Sequence, residues 1–151
     1  MAELKERLRT DLTASMRARD ELRTATIRMV LTAVTTAEVA GTEARELSDD
    51  DVLAVLTKEA KKRREAADAF REAGRIDRAE REEAEAGVVA EYLPAPLTDG
   101  ELASLVDAAV AETGAESLRD MGKVMKALQP RVVNRADGAA VAAAVKARLM
   151  G

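Results

Sequence analysis

The sequence predicts an all-α protein of two helical subdomains, an N-terminal long-helix domain and a smaller three-helix domain. Three observations carry this. Ala, Leu, Arg and Glu, the strongest helix formers, dominate a chain of 151 residues. Aromatic residues are 1% of the chain, only Phe70 and Tyr92, so the core must be built from Ala, Val, Leu and Met. Apolar positions recur at helical spacing nearly throughout, and no stretch alternates as a strand does.

Each element follows from local signals. Leu4, Leu8, Leu12 and Met16 recur every four residues and predict a first helix over 2–19. Asp20 is placed to cap a second, in which Leu22, Thr26, Met29, Val30, Ala33 and Ala37 form a stripe widened by Ile27, Leu31 and Val34. Gly41 is expected to end it. Ser48, followed by Asp49, Asp50 and Asp51, reads as an N-cap with three carboxylates at the positive end of a helix running to about residue 73 and stopping at Gly74. The middle of that helix, Lys61, Lys62, Arg63, Arg64 and Glu65, has no apolar residue and is expected to project beyond the core. A fourth helix is expected over 76–93, charged as far as Glu85 and then apolar at Val88, Val89, Ala90 and Leu93.

Pro94 and Pro96 form the clearest break, because neither can continue a helix and each forces its predecessor toward extended geometry. The domains are therefore placed at 1–94 and 97–151. Thr98 and Glu101 read as a capping box. Leu102, Leu105, Val106, Ala109 and Val110 follow, and Gly114 ends that helix. Ser117 caps the next, with Leu118, Met121, Val124, Met125 and Leu128 turned inward and Pro130 closing it. Asp137 is placed to cap a last helix carrying Val141, Val145 and Leu149.

Composition excludes much chemistry. The chain has no Cys and no His. That removes Cys nucleophiles, Ser-His-Asp triads, Cys/His zinc sites and Glu-x-x-His di-iron helices. No Gly-rich phosphate loop and no Gly/Ser-rich amidase signature is present. No catalytic residue, metal or small-molecule cofactor is assigned. The first residues lack the apolar stretch of a signal peptide, and the longest uncharged runs, such as 29–37, are too short to cross a bilayer. A cytoplasmic protein without membrane contact is expected. Asp49, Asp50 and Asp51 read as helix capping in preference to a metal site.

Charge is distributed unevenly. The net charge is −4. Yet residues 118–151 hold seven Lys or Arg against two acids, and residues 98–117 hold five acids and no base. On a helical projection Arg119, Lys123 and Lys126 fall opposite the apolar stripe, with Arg131 and Arg135 in the turn beyond. Two readings remain open, a tip that faces a polyanion and a set of cations on a plain solvated face. With a single Tyr and a single Phe, base stacking is excluded, so any nucleic-acid contact must be to phosphate and shape. Lys61, Lys62, Arg63 and Arg64 sit among acids at (i, i+4), and read as a self-neutralised surface, with an edge of an RNA or partner surface as the alternative. Tyr92 reads as a packing residue that hydrogen-bonds a helix end.

Several runs in this order resemble the GatB/YqeY family. They are Asp120-Met121-Gly122-Lys123-Val124-Met125-Lys126-Ala127-Leu128 and Asn134-Arg135-Ala136-Asp137-Gly138, then Val141, Val145, Lys146 and Leu149. Leu22-Arg23, Ile27-Arg28-Met29, Lys58-Glu59-Ala60-Lys61-Lys62-Arg63 and Glu91-Tyr92-Leu93-Pro94 are similar to the stand-alone YqeY-like members. The resemblance implies that the C-terminal domain is similar to the tail of the tRNA-dependent amidotransferase B subunit, a helical appendage that helps to engage tRNA. It implies the family label of carbon–nitrogen ligase with glutamine as amido-N-donor, and no activity for this chain alone, which lacks the catalytic domains. The expected partners are tRNA or a tRNA-handling enzyme, with Arg119, Lys123, Lys126, Arg131 and Arg135 as RNA-binding residues. The alternatives are a subunit contributing to glutamine-dependent tRNA amidation, and a helical protein–protein adaptor that binds no RNA.

Overall fold

The structure is a computed structural model that describes residues 2–151. Among these residues there are seven α-helices and no strand: α1 (Glu3–Arg17), α2 (Glu21–Glu38), α3 (Asp49–Glu72), α4 (Ile76–Ala90), α5 (Asp99–Thr113), α6 (Met121–Val132) and α7 (Gly138–Met150). A 3₁₀ turn, Leu118–Asp120, precedes α6. The chain divides into two compact units, Met1–Leu93 and Pro94–Gly151.

In the first unit the core joins Leu8 of α1, Ile27, Val30 and Val34 of α2, Val52 and Leu56 of α3, and Val88 and Val89 of α4. Asp20 caps α2 by accepting from Arg23 N–H at 3.1 Å. Ser48 and Asp51 form a reciprocal capping box at 3.2 Å each way, and the Ser48 N–H holds the Asp51 carboxyl below its usual range. Three sequence expectations shift here. Ser15 is buried while Met16 is 50% exposed, because a four-residue step gains 40° per repeat and has rotated off the core by the fourth member. The buried Ser15 hydroxyl meets Thr24 Oγ1 at 2.9 Å and the Leu12 carbonyl at 2.8 Å. α2 stops at Glu38, three residues before Gly41. The Glu38 carboxylate takes Lys5 Nζ at 2.8 Å and the Leu47 N–H at 3.3 Å, pinning the following loop. α4 ends at Ala90, and residues 91–93 continue as a tighter turn with i−3 bonds from Tyr92 and Leu93.

The middle of α3 carries no residue of the apolar core, whose last member on this helix is Ala60, but it does not stand alone. α4 folds back along it after Gly74, whose φ of +76° turns the chain. Ala60 and Ala67 on α3, and Ala79 and Ala86 on α4, are buried and seven residues apart on each helix. Alanines at that spacing let the two helices approach closely along one seam. Above the seam, Arg63 Nη2 donates to Glu59 Oε2 at 3.1 Å and contacts the Met29 thioether at 3.0 Å. Its Nε lies 3.5 Å from Glu85 and 3.9 Å from Glu82. Arg81 bridges Glu85 and Glu21. Among the described residues one buried side-chain oxygen, Glu82 Oε2, accepts no hydrogen bond. Burial, and then the neighbouring Glu85 charge, push the Glu82 carboxyl above its usual range.

In the second unit Leu102, Val106, Ala109 and Val110 of α5 pack on Val124, Leu128 and Val132 of α6 and Val141 and Val145 of α7. Thr98 and Glu101 form the expected capping box, at 3.1 and 3.2 Å. Gly114 ends α5 with φ +67°. Leu118 is 44% exposed instead of inward, because the 3₁₀ turn breaks helical phase before α6 begins. Pro130 does not close α6, which runs on to Val132. In the last turn proline removes only one N–H, and burial of Val132 holds the chain in place beyond it. Asn134, with φ +61°, then reverses the direction. Asp137 occupies the N-cap position of α7, where its carbonyl accepts from Val141 N–H at 3.0 Å.

Two outcomes are expected. Glu82 binds its proton more tightly folded than unfolded, so its contribution is fully present below the unfolded pKa and is lost as pH rises through the folded one. Glu82→Gln should therefore match wild type near pH 4 and be more stable by about 1 kcal/mol at pH 8, read from urea midpoints across that range. We further propose that residues 94–151 fold alone: the isolated fragment should give helical circular dichroism with a cooperative melt, although a core this small gives low stability. A random-coil spectrum would show that the fragment needs the first unit.

Candidate nucleic-acid interface

The five cations singled out in the sequence all lie in the second unit, but the fold treats them differently. Arg119 projects from the 3₁₀ turn, not from α6, so it does not share that helix's regular phase with Lys123 and Lys126. Lys123 and Lys126 are three residues apart on α6 and both exposed, opposite the buried Val124 and Leu128. Lys123 Nζ lies 3.5 Å from Asp120. The N–H of Glu116, then burial and the N–H of Ser117, and Lys123 last act on that carboxylate, and the net effect lowers its pKa. Asp120 is thus a turn-forming residue first and a counter-ion second.

The remaining two are engaged elsewhere. Arg131 Nη2 donates to both oxygens of Glu112 on α5, at 2.8 and 3.0 Å. Arg135 Nε donates to the Ala95 carbonyl at 3.1 Å, and its Nη2 lies 4.0 Å from Glu101. The Arg135 carbonyl in turn accepts from Leu97 N–H at 2.8 Å. Arg135 therefore fastens the Pro94–Leu97 segment to the turn after α6. Arg148, on α7, reaches Asp107 of α5 at 2.8 Å.

The sharp change of sign along the chain is thus folded back on itself. The acids of α5 supply partners for Arg131, Arg135 and Arg148, and the unit holds seven Lys or Arg and seven Asp or Glu. Counting charge along the sequence missed this, since pairs 19 to 41 residues apart carry no local signal. Three cations, Arg119, Lys126 and Lys146, have no carboxylate partner among the described residues. With Lys123, whose partner is weakly placed, they make up the free positive charge of the unit. Exposed pairs of this kind contribute about 0–1 kcal/mol each.

Other candidates resolve as structure. Tyr92 is buried, and its hydroxyl donates to the Asp11 carboxylate on α1, a side chain in place of the expected helix end. Burial, then that bond, push its pKa up. Arg7 covers the ring face, 4.6 Å from its centre. Lys61 pairs with Glu65 at 4.0 Å, and Arg63 belongs to the α3 and α4 seam. Asp49 accepts from Leu4 N–H at 3.0 Å. Among the described residues no cluster of three acids is arranged to hold a metal ion, and no helix is long and apolar enough to cross a membrane.

Residues 5–149 match the family described as Yqey-like protein. An uncharacterized protein of Schizosaccharomyces pombe is 35% identical over 88 residues, which is 58% of this chain and 69% of the yeast protein. The family match spans nearly the whole length, through both units and across the proline break between them, and the chain belongs to the YqeY-like family.

Proposed function

We propose that this chain is a non-catalytic accessory protein that engages tRNA through phosphate contacts of its C-terminal unit. The observation that supports this most is that Arg119, Lys123 and Lys126 are all exposed and that only Lys123 has a carboxylate near it, Asp120 at 3.5 Å. The resemblance of the same run, Asp120 to Leu128, to the amidotransferase B-subunit tail supports tRNA as the polyanion. Arg119, Lys123 and Lys126 are assigned as primary contacts. Arg131 joins when phosphate displaces Glu112, and Arg135 contributes mainly by holding the segment at Ala95.

With no aromatic residue in 94–151, the bases are not read by stacking. Binding depends on charge and shape, and a separate enzyme supplies any chemistry on the bound tRNA. The place of action in this reading is the cytoplasm, where tRNA is handled.

The test is binding of unfractionated tRNA by fluorescence anisotropy at several salt concentrations. Affinity should fall with a log–log slope of roughly 0.7–0.9 per neutralised phosphate. Lys123→Glu with Lys126→Glu should weaken binding at least about tenfold for many tRNAs alike and flatten that slope. Both side chains point away from the core, so the fold should be unchanged by circular dichroism. The same reversal at Lys61 and Lys62 should cost little. Unchanged binding by the Lys123/Lys126 variant, or no wild-type binding above a random RNA duplex, would leave the protein–protein adaptor as the better reading.

A further inference from the structure

The outward face of α2 has an unusual composition for this chain. Charged residues are 34% of the sequence. Yet from residue 24 to residue 39 the positions opposite the buried Ile27, Val30 and Val34 carry one charge, Arg28. The rest of that face is Ala25, Met29, Val39 and a set of threonines. The threonines are less polar than their names suggest. Thr32 donates its hydroxyl to the Arg28 carbonyl at 2.9 Å, Thr35 to Leu31 at 3.0 Å, and Thr36 to Thr32 at 2.9 Å. Each hydroxyl is turned back onto its own helix, which leaves the γ-methyl groups as a large part of what faces outward.

This face is shallowly concave, and largely apolar from Thr24 onward. Two depressions of about 480 and 450 Å³ lie along it and meet at Arg28. One includes Leu12, Leu31 and Val39, and the other Met16, Thr24 and Ala25 together with the charged Arg19, Asp20 and Glu21 at the start of α2. Together they span about 22 Å of helix, some four turns. Met16 and Val39 are exposed there by 50 and 59%. The guanidinium of Arg28 rests on the Met16 thioether at 3.7 Å and has no carboxylate partner among the described residues.

We propose that the groove between α1 and α2 is a docking site for an amphipathic helix of another protein, with small apolar side chains along one face and a carboxylate at its centre. The small residues Ala25 and Thr32, and the methyl groups around them, admit a close helix. The unmatched Arg28 at the middle of the groove selects an acidic partner. A second copy of this chain is a poorer occupant. Its own face brings another Arg28, and its nearest acids are occupied: Glu21 holds Arg81, and Asp20 caps α2. Nucleic acid is a poorer occupant too, because the two cations along the groove, Arg19 and Arg28, are accompanied by Asp20 and Glu21. This inference is independent of the tRNA reading, which rests on the other unit.

The test uses the full-length chain, isotopically labelled, and two synthetic helical peptides of about 18 residues. Both carry Ala and Leu on one face. One has a single Glu at the centre of that face, and the other Lys at the same place. Titration of the Glu peptide should give saturable amide shifts confined to residues 12–16 and 24–39, with affinity about fivefold above that of the Lys peptide. Arg28→Glu should reverse the preference, and Thr32→Glu should abolish binding of the Glu peptide. If either variant loses its helical spectrum, the comparison of the two peptides on wild type decides by itself. No saturable shift at millimolar peptide, equal affinity for the two peptides, or shifts mapping elsewhere would overturn the proposal. So would a dimer in sedimentation equilibrium that Thr32→Glu dissolves, since the occupant would then be a second copy. Shifts of the same amides by tRNA would overturn it in favour of RNA.

Discussion

The close approach of α3 and α4 is the constraint on which the first unit depends. A chain with two aromatic residues cannot fill wide gaps between helices, so it must bring backbones together. Ala60, Ala67, Ala79 and Ala86 do this along one seam. The seam then sets the electrostatics. It draws Glu59, Glu85 and Arg63 into a region nearly out of solvent, where a charge is tolerated only with a partner. Arg63 serves three carboxylates at once, and Glu82 receives the least of it. The Met29 thioether completes the surround of Arg63 and links α2 to the hairpin.

The second unit solves the same shortage of bulk differently. Its core is Leu and Val from three short helices, and its charges form a belt of pairs between α5 and the two helices that follow. The unit is neutral in total, and only the turn before α6, α6 itself and the end of α7 carry uncompensated cations. That narrows a broad impression of basicity to a few side chains. It also separates two roles for arginine. One kind, Arg119, stands without a carboxylate partner, and the other, Arg135, is built into the main chain's own hydrogen bonding.

The helices were legible because their start signals are local. Ser48 with Asp51, and Thr98 with Glu101, need only four residues to declare a cap, and both form as read. Errors came where the deciding contact was distant or the phase was assumed to be constant. The polar middle of α3 looked unsupported because its partner residues sit some 20 positions away on α4. Leu118 was placed inward by extending the phase of α6 across a 3₁₀ turn. Pro130 suggested a stop, and the burial of Val132 overrode it. The charge of the candidate interface was legible in sign but not in amount. The acids that offset it belong to a different helix. The outward face of α2, with Arg28 as its one charge, was not singled out, because it lies outside the apolar stripe of Leu22, Thr26 and Val30 and its threonines read as polar until their hydroxyls are seen turned back onto the helix.

The placement of Tyr92 has a consequence for spectroscopy. Both aromatic residues, Phe70 and Tyr92, lie in the first unit, and Tyr92 is held in its core under Arg7 and against Asp11. Near-ultraviolet absorption and intrinsic fluorescence therefore report on one half of the molecule. The second unit is optically silent at those wavelengths and can unfold without a trace in them. A melt followed by tyrosine signal and one followed by peptide dichroism will coincide only if the two units open together. The difference between the curves thus measures, without any label, how far the two halves of this chain share one unfolding transition.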